Sequence, residues 1–135
     1  MSFSIQGIHH VRLPVADLER SVRWYSELLG FESDFPFRRD GVIHAWALKH
    51  VASGVSLTLV QEPALARSTS GFPYVSFLLP DEASVRDLAQ ALDRQGIAHA
   101  AVAQGLAGVK LLDVCDPDGH LIGFYQAGPR LRHPS

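Results

Sequence analysis

An α+β chain built from two tandem βαβββ modules is what the sequence predicts, and repetition carries most of that prediction. The stretch from Pro14 to Gly30 recurs in outline from Pro80 to Gly96, with proline opening and glycine closing each copy at an offset of 66. Gly54-Val-Ser-Leu-Thr-Leu-Val-Gln61 aligns with Gly119-His-Leu-Ile-Gly-Phe-Tyr-Gln126 at an offset of 65. Around these copies the apolar spacing changes from two to three and four and back, the signature of strand, helix and strand in succession. Two copies of one supersecondary unit in 135 residues imply an internal pseudo-dyad, with ligand positions matched between the copies.

The elements follow in order. Ile8 to Val15 reads as a strand, with Val11, Leu13 and Val15 on one face and Ile8, His10 and Arg12 on the other. Asp17 suits a helix N-cap, and Leu18, Val22, Tyr25, Leu28 and Leu29 form one apolar stripe that Gly30 ends. Phe31 to Phe35, Val42 to Lys49 and Val55 to Gln61 read as strands separated by the turn signals Asp40-Gly41 and Ser53-Gly54. Residues 62–72 form a Pro-, Ser- and Gly-containing connector. Tyr74 to Leu79 is the next strand, and a helix from about Ala83 to Gln95 turns Val85, Leu88, Ala89 and Leu92 inward. Strands around Ala98 to Ala103, Lys110 to Val114 and Leu121 to Gln126 complete the second copy, with Asp116-Pro-Asp-Gly119 as a tight turn. The expected organisation is a single domain: module 1 over about 5–62, a linker at 63–72, module 2 over about 73–127 and a tail at 128–135. Each sheet has one face for its own helix. The other face points to a concave pocket lined by both halves.

Composition narrows the function. A net charge of −2 and a pI near 6.4 give no electrostatic footprint for nucleic acid or an anionic membrane. Arg130, Arg132 and His133 read as a solvated terminus. A single cysteine, Cys115, forms no internal disulfide and fits a reducing compartment; with no secretory signal pattern and no membrane-length apolar run, a cytoplasmic location is expected. No nucleophile elbow, phosphate loop, dinucleotide fingerprint or paired-carboxylate pattern is present, and Cys115 reads as a buried structural thiol.

Three segments resemble the vicinal-oxygen-chelate superfamily, which includes glyoxalase I, bleomycin- and fosfomycin-resistance proteins and extradiol dioxygenases. They are H-H-V-R-L-P-V-A-D-L at 9–18, R-W-Y-S-E-L-L-G-F at 23–31 and D-P-D-G-H-L-I-G-F-Y at 116–125. The resemblance implies an open, barrel-like mixed sheet around a cavity, often within a homodimer. In metal-using members, the first and last strands of each module each supply one ligand to a divalent ion. Carried over position by position, those ligands fall on His10, on Thr58, between Tyr74 and Ser76 (on Val75), and on Gly123. His10 alone keeps a ligating side chain, so the expectation is no metal cofactor, with a divalent ion left open through a rearranged set including His10 and His44. His9 is expected on the opposite face from His10, and His120 near the cavity rim.

The remaining candidates each carry two readings. His10 is either the catalytic acid/base or a hydrogen-bonded leftover. Arg12 either pairs with an anionic ligand group or reaches solvent from a strand end. Trp46, sharing a face with His44, either stacks on a ligand or packs in the core. Thr58 and Tyr125 are the other expected lining residues, with Gly123 opening space beside Tyr125. Phe35, Phe37 and Arg38 fall in a loop-like segment able to close over a ligand. The leading expectation is a metal-independent protein enclosing a small aromatic or amphipathic molecule. The alternative is a metal-dependent lyase, isomerase, thiol transferase or dioxygenase with a ligand set including His10.

Overall fold

The computed structural model describes residues 2–128; Arg130, Arg132 and His133 of the expected tail lie outside them. The order is β1 (Val11–Val15), α1 (Leu18–Leu29), β2 (Glu32–Arg39), β3 (Val42–His50), β4 (Val55–Gln61), α2 (Pro63–Ser68), β5 (Pro73–Leu79), α3 (Glu82–Arg94), β6 (Ala103–Gln104), β7 (Val109–Cys115) and β8 (Leu121–Gln126). It is an α+β fold of two four-stranded mixed sheets, ordered β1-β4-β3-β2 and β5-β8-β7-β6. The repeat read in the sequence is therefore a repeat of topology. The chain divides into two compact units, Met1–Ser68 and Thr69–Ser135, each holding one sheet.

In the first unit β1 runs parallel to β4, with Val11, Leu13 and Val15 opposite Leu57, Leu59 and Gln61. α1 covers this face: Leu18 N donates to Gln61 Oε1 at 2.9 Å, and Leu13, Val15, Leu18, Tyr25, Leu57 and Leu59 are buried. The Asp17 side chain caps the helix by accepting from Arg20 N, and Gly30 ends it at φ 75°. The second unit repeats the plan, with Asp81 accepting from Ser84 N and α3 burying Val85, Ala89 and Leu92. Val109, Leu111, Val114, Ile122 and Phe124 are buried apolar sheet residues of this unit. Burying such a side chain contributes on the order of 1.5–3 kcal/mol, so these two apolar layers hold the sheets to their helices.

Four elements differ from expectation, each for a physical reason. β1 begins at Val11 rather than Ile8, because the ladder starts with Val11 opposite Leu57 and the segment before it has no partner strand among the described residues. Phe35, Phe37 and Arg38 belong to β2, not to a loop; β2 is an edge strand, where Pro36 removes no needed donor. The connector contains α2, whose Pro63 sits at the first helical position ahead of Ala64, Leu65 and Ala66. The strand expected over 98–103 shrinks to Ala103–Gln104. Its alanine-rich approach makes only isolated bonds to β7 and its end, Ala100 N to Leu112 O and Cys115 N to Ala98 O.

Candidate functional site

His10 lies just before β1, exposed, with its Nδ1 2.9 Å from Nδ1 of His9. The strand alternation expected to send these rings to opposite faces does not operate here, because neither residue is in a strand. At that distance one imidazole nitrogen donates its proton to the other, so His10 is held by His9 rather than by a strand face.

The register sorts the other first-unit candidates onto two faces. Arg12 pairs with Thr58 and Thr58 with Ala47, which in turn faces Phe35 on β2. Residues directly opposite in a ladder point to the same side, so Arg12, Thr58, Ala47 and Phe35 form one row on the face away from α1. Thr58 is buried, Arg12 is exposed, and the rings of Phe35 and Phe37 stand 4.9 Å apart. Trp46 pairs with Leu59, on the helix side. There it lines a cleft of about 590 Å³ with Leu18, Val22, Ile43 and Gln61, and its Nε1 donates to Ser33 Oγ. His44 precedes Trp46 by two on the same strand, and its Nδ1 is buried without a hydrogen-bond partner. Trp46 and His44 do share a face, as expected, but it is not the face of Arg12 and Thr58.

In the second unit the matching row is Ser76 opposite Gly123, with Leu78 opposite Tyr125 in the next same-face row. The register also moves one inherited position. Val11 opposite Leu57 corresponds to Val75 opposite Ile122, so the counterpart of His10 is Tyr74, not Val75. The four inherited positions are thus His10, Thr58, Tyr74 and Gly123. A Cβ at Gly123 would lie 2.7 Å from Ser76 Oγ and 3.2 Å from Leu112 Cδ2. The side chains of Ser76 and Leu112 occupy the space from which a glutamate side chain would start. These residues do not fit a divalent ion at the inherited place.

A different group of ligating atoms occurs at the β7–β8 turn. One ligand atom each from Asp116, Asp118 and His120 falls within 4.8 Å of the others. His120 is 1% exposed. The expectation of no metal is therefore too narrow: a divalent ion has a candidate place, though not the inherited one. Cys115, just before the turn, is partly buried, and that burial together with the charges of Asp116 and Asp113 pushes its thiol above the ordinary range. Less thiolate at neutral pH makes it a poor nucleophile. Asp116-Pro-Asp-Gly-His120 carries three ligating residues within five positions, a signal visible in the sequence beside its turn geometry and its family likeness.

Two βαβββ modules, each with its first strand parallel to its last and its helix on one face of its sheet, are the class of fold to which this chain conforms. The chain belongs to the glyoxalase/bleomycin resistance protein/dioxygenase superfamily, whose family model matches residues 7–124. A solved glyoxylase/bleomycin resistance protein/dioxygenase domain from Frankia sp. EAN1pec is 24% identical, with 90% of this chain and 97% of that one covered and a TM-score of 0.73. TnmS3, an antibiotic binding protein from Streptomyces sp. CB03234, is 22% identical over 94% of this chain and 100% of its own, with a TM-score of 0.75. A mutant fosfomycin resistance protein, FosX, from Listeria monocytogenes was solved with Mn(II) and 1S,2S-dihydroxypropylphosphonic acid. It is 14% identical over 96% of this chain and 100% of its own, with a TM-score of 0.76. At these identities the likeness establishes the fold. A comparison with curated proteins found no match.

Proposed function

We propose that this protein binds a small aromatic or amphipathic molecule without using the metal position inherited from its superfamily. The observation that carries the reading is the row Arg12, Thr58, Ala47 and Phe35, bordered by Phe37, on the face of the first sheet away from α1. A guanidinium recognises a carboxylate or phenolate through paired N–H donors, a threonine hydroxyl offers one further donor or acceptor, and the phenyl rings supply apolar contact. Affinity comes mainly from apolar burial at about 25 cal/mol per Å², with Arg12 fixing orientation. Tyr125, with Ser76 beside Gly123, offers a second, similar surface on the other unit. His10 serves as a polar neighbour of Arg12 rather than as an anchor for an ion.

The test is equilibrium dialysis of the full chain against a panel of aryl carboxylates and phenols, with and without EDTA. Saturable binding unaffected by EDTA is expected. Arg12→Gln should weaken it by about 1.5–3 kcal/mol, the range for a hydrogen bond to a charged group. Binding or turnover of any panel member that EDTA abolishes, and that His10→Ala also abolishes, would replace this reading with that of a metal-dependent enzyme of the same superfamily.

A further inference from the structure

We infer that the β7–β8 turn is a divalent-cation site, built from Asp116, Asp118 and His120 and separate from the four inherited positions. The argument begins with the protons of His120. Its Nε2 lies 2.7 Å from Thr69 Oγ1, a hydrogen bond in either direction. Its Nδ1 is buried, has no hydrogen-bond partner, and faces Asp116 Oδ2 at 3.5 Å. The side chains of His120 and Asp116 are 1% and 0% exposed, so solvent does not supply what is missing. If Nε2 carries the proton, the Nδ1 lone pair and a carboxylate oxygen confront one another in a dry site, which is repulsive unless a cation lies between them. If Nδ1 carries it, the proton sits in a gap too long for a good hydrogen bond.

A metal ion resolves the first arrangement. Ligands about 2.0–2.1 Å from a tetrahedral ion are separated by roughly 3.3–3.4 Å, close to the observed gap between Nδ1 and Oδ2. Asp116 is already oriented, its Oδ1 accepting from Asp118 N and His120 N at 2.9 Å each, with Oδ2 3.5 Å from His120 Nδ1. Thr69, accepting from Nε2, fixes the ring and the tautomer in the way that outer partners of metal-bound imidazoles do. Asp118 supplies the third ligand atom from the turn itself. One imidazole and two carboxylates suit a first-row divalent ion, with Zn²⁺ ahead of Co²⁺ and Mn²⁺, and disfavour the all-oxygen ions Ca²⁺ and Mg²⁺. With three side chains from one turn, the ion's role is to fasten it. The same turn holds the segment before β5 through Gly71 N to Gly119 O at 2.8 Å and Leu121 N to Phe72 O at 3.0 Å.

The exposed pair His9 and His10 is a competing surface ligand, so the experiment uses a His9→Ala/His10→Ala chain, stripped with chelator and free of any affinity tag. Isothermal titration with Zn²⁺ should show one equivalent bound and a rise in melting temperature. Co²⁺ should develop visible d–d absorption that Zn²⁺ displaces. Asp118→Asn keeps the size of the turn residue and should weaken binding by at least about tenfold, with far-UV circular dichroism unchanged. His120→Gln should abolish the Co²⁺ spectrum. No uptake by the double-alanine chain overturns the proposal, and so does full-affinity binding in Asp118→Asn. Should Asp118→Asn alter the fold, the Co²⁺ spectrum of the double-alanine chain still decides. Imidazole-to-cobalt coordination supports the site, and its absence sinks it.

Discussion

Gly123 shows how one residue can close off a chemistry. In the first unit the matched position is Thr58, a side chain with a single hydroxyl; in the second it is no side chain at all. The side chains of Ser76 and Leu112 lie within 3.2 Å of where a Cβ would stand, so introducing a carboxylate means displacing both. Gly123→Glu is expected to destabilise the fold by about 1–3 kcal/mol, measured by urea denaturation, and to create no Mn²⁺ binding. A variant as stable as the parent that also bound Mn²⁺ would show the inherited site to be merely vacant of its ligand. Loss of ligating residues was legible in the sequence from the repeat alignment alone. The crowding at Gly123 was not, because the approach of Ser76 to Gly123 is a product of parallel strand pairing between residues 47 apart.

At the scale of elements, α3 is tied to the segment that follows it through His99. Its Nδ1 lies 2.6 Å from the Ala100 carbonyl and its Nε2 2.6 Å from Asp93 Oδ1, so two acceptors hold the ring between them. The carbonyl of Ala100 raises the imidazole above its ordinary range, burial opposes this, and the Asp93 carboxylate adds to it. Among the groups acting on His99, Asp93 is the charged one. Because the folded state holds the proton more tightly, this stabilisation is complete below the unfolded imidazole value, near pH 6.5, and is lost as pH rises through the folded value. Asp93→Asn should therefore narrow the difference in urea midpoint between pH 5.5 and pH 8.5; an unchanged difference would assign the pH dependence elsewhere. The helices themselves were plain in the sequence, since Asp17, Gly30 and the stripe of Leu18 and Tyr25 act locally. Strand ends were harder. β1 stops short of His10 for want of a partner strand there, and β6 shrinks to Ala103–Gln104 although β7 runs alongside, because its alanine-rich approach makes only isolated bonds to it. The side of the sheet taken by Trp46 could not be read either, since alternation gives relative faces and only the position of α1 says which is which.

For the molecule as a whole, the N-terminal segment and the β2–β3 hairpin leave Phe3, Ile5, Ile8, Phe35 and Val42 exposed, and no helix among the described residues is long and apolar enough to cross a membrane. We propose that these side chains pack against a second copy of the chain. Sedimentation equilibrium should give a dimer, and Ile5→Lys together with Ile8→Lys should shift it toward monomer; a wild-type monomer at micromolar concentration would rule this out. The strand order β1-β4-β3-β2 has a further consequence. Strands 2, 3 and 4 are antiparallel neighbours that zip locally, whereas the first strand must wait for the fourth to be made before it has anything to hold. Of the four strands of this sheet, the first to be synthesised is thus the last to join it. Leu13→Ala should speed unfolding and leave the refolding rate nearly unchanged, while Leu48→Ala should slow refolding.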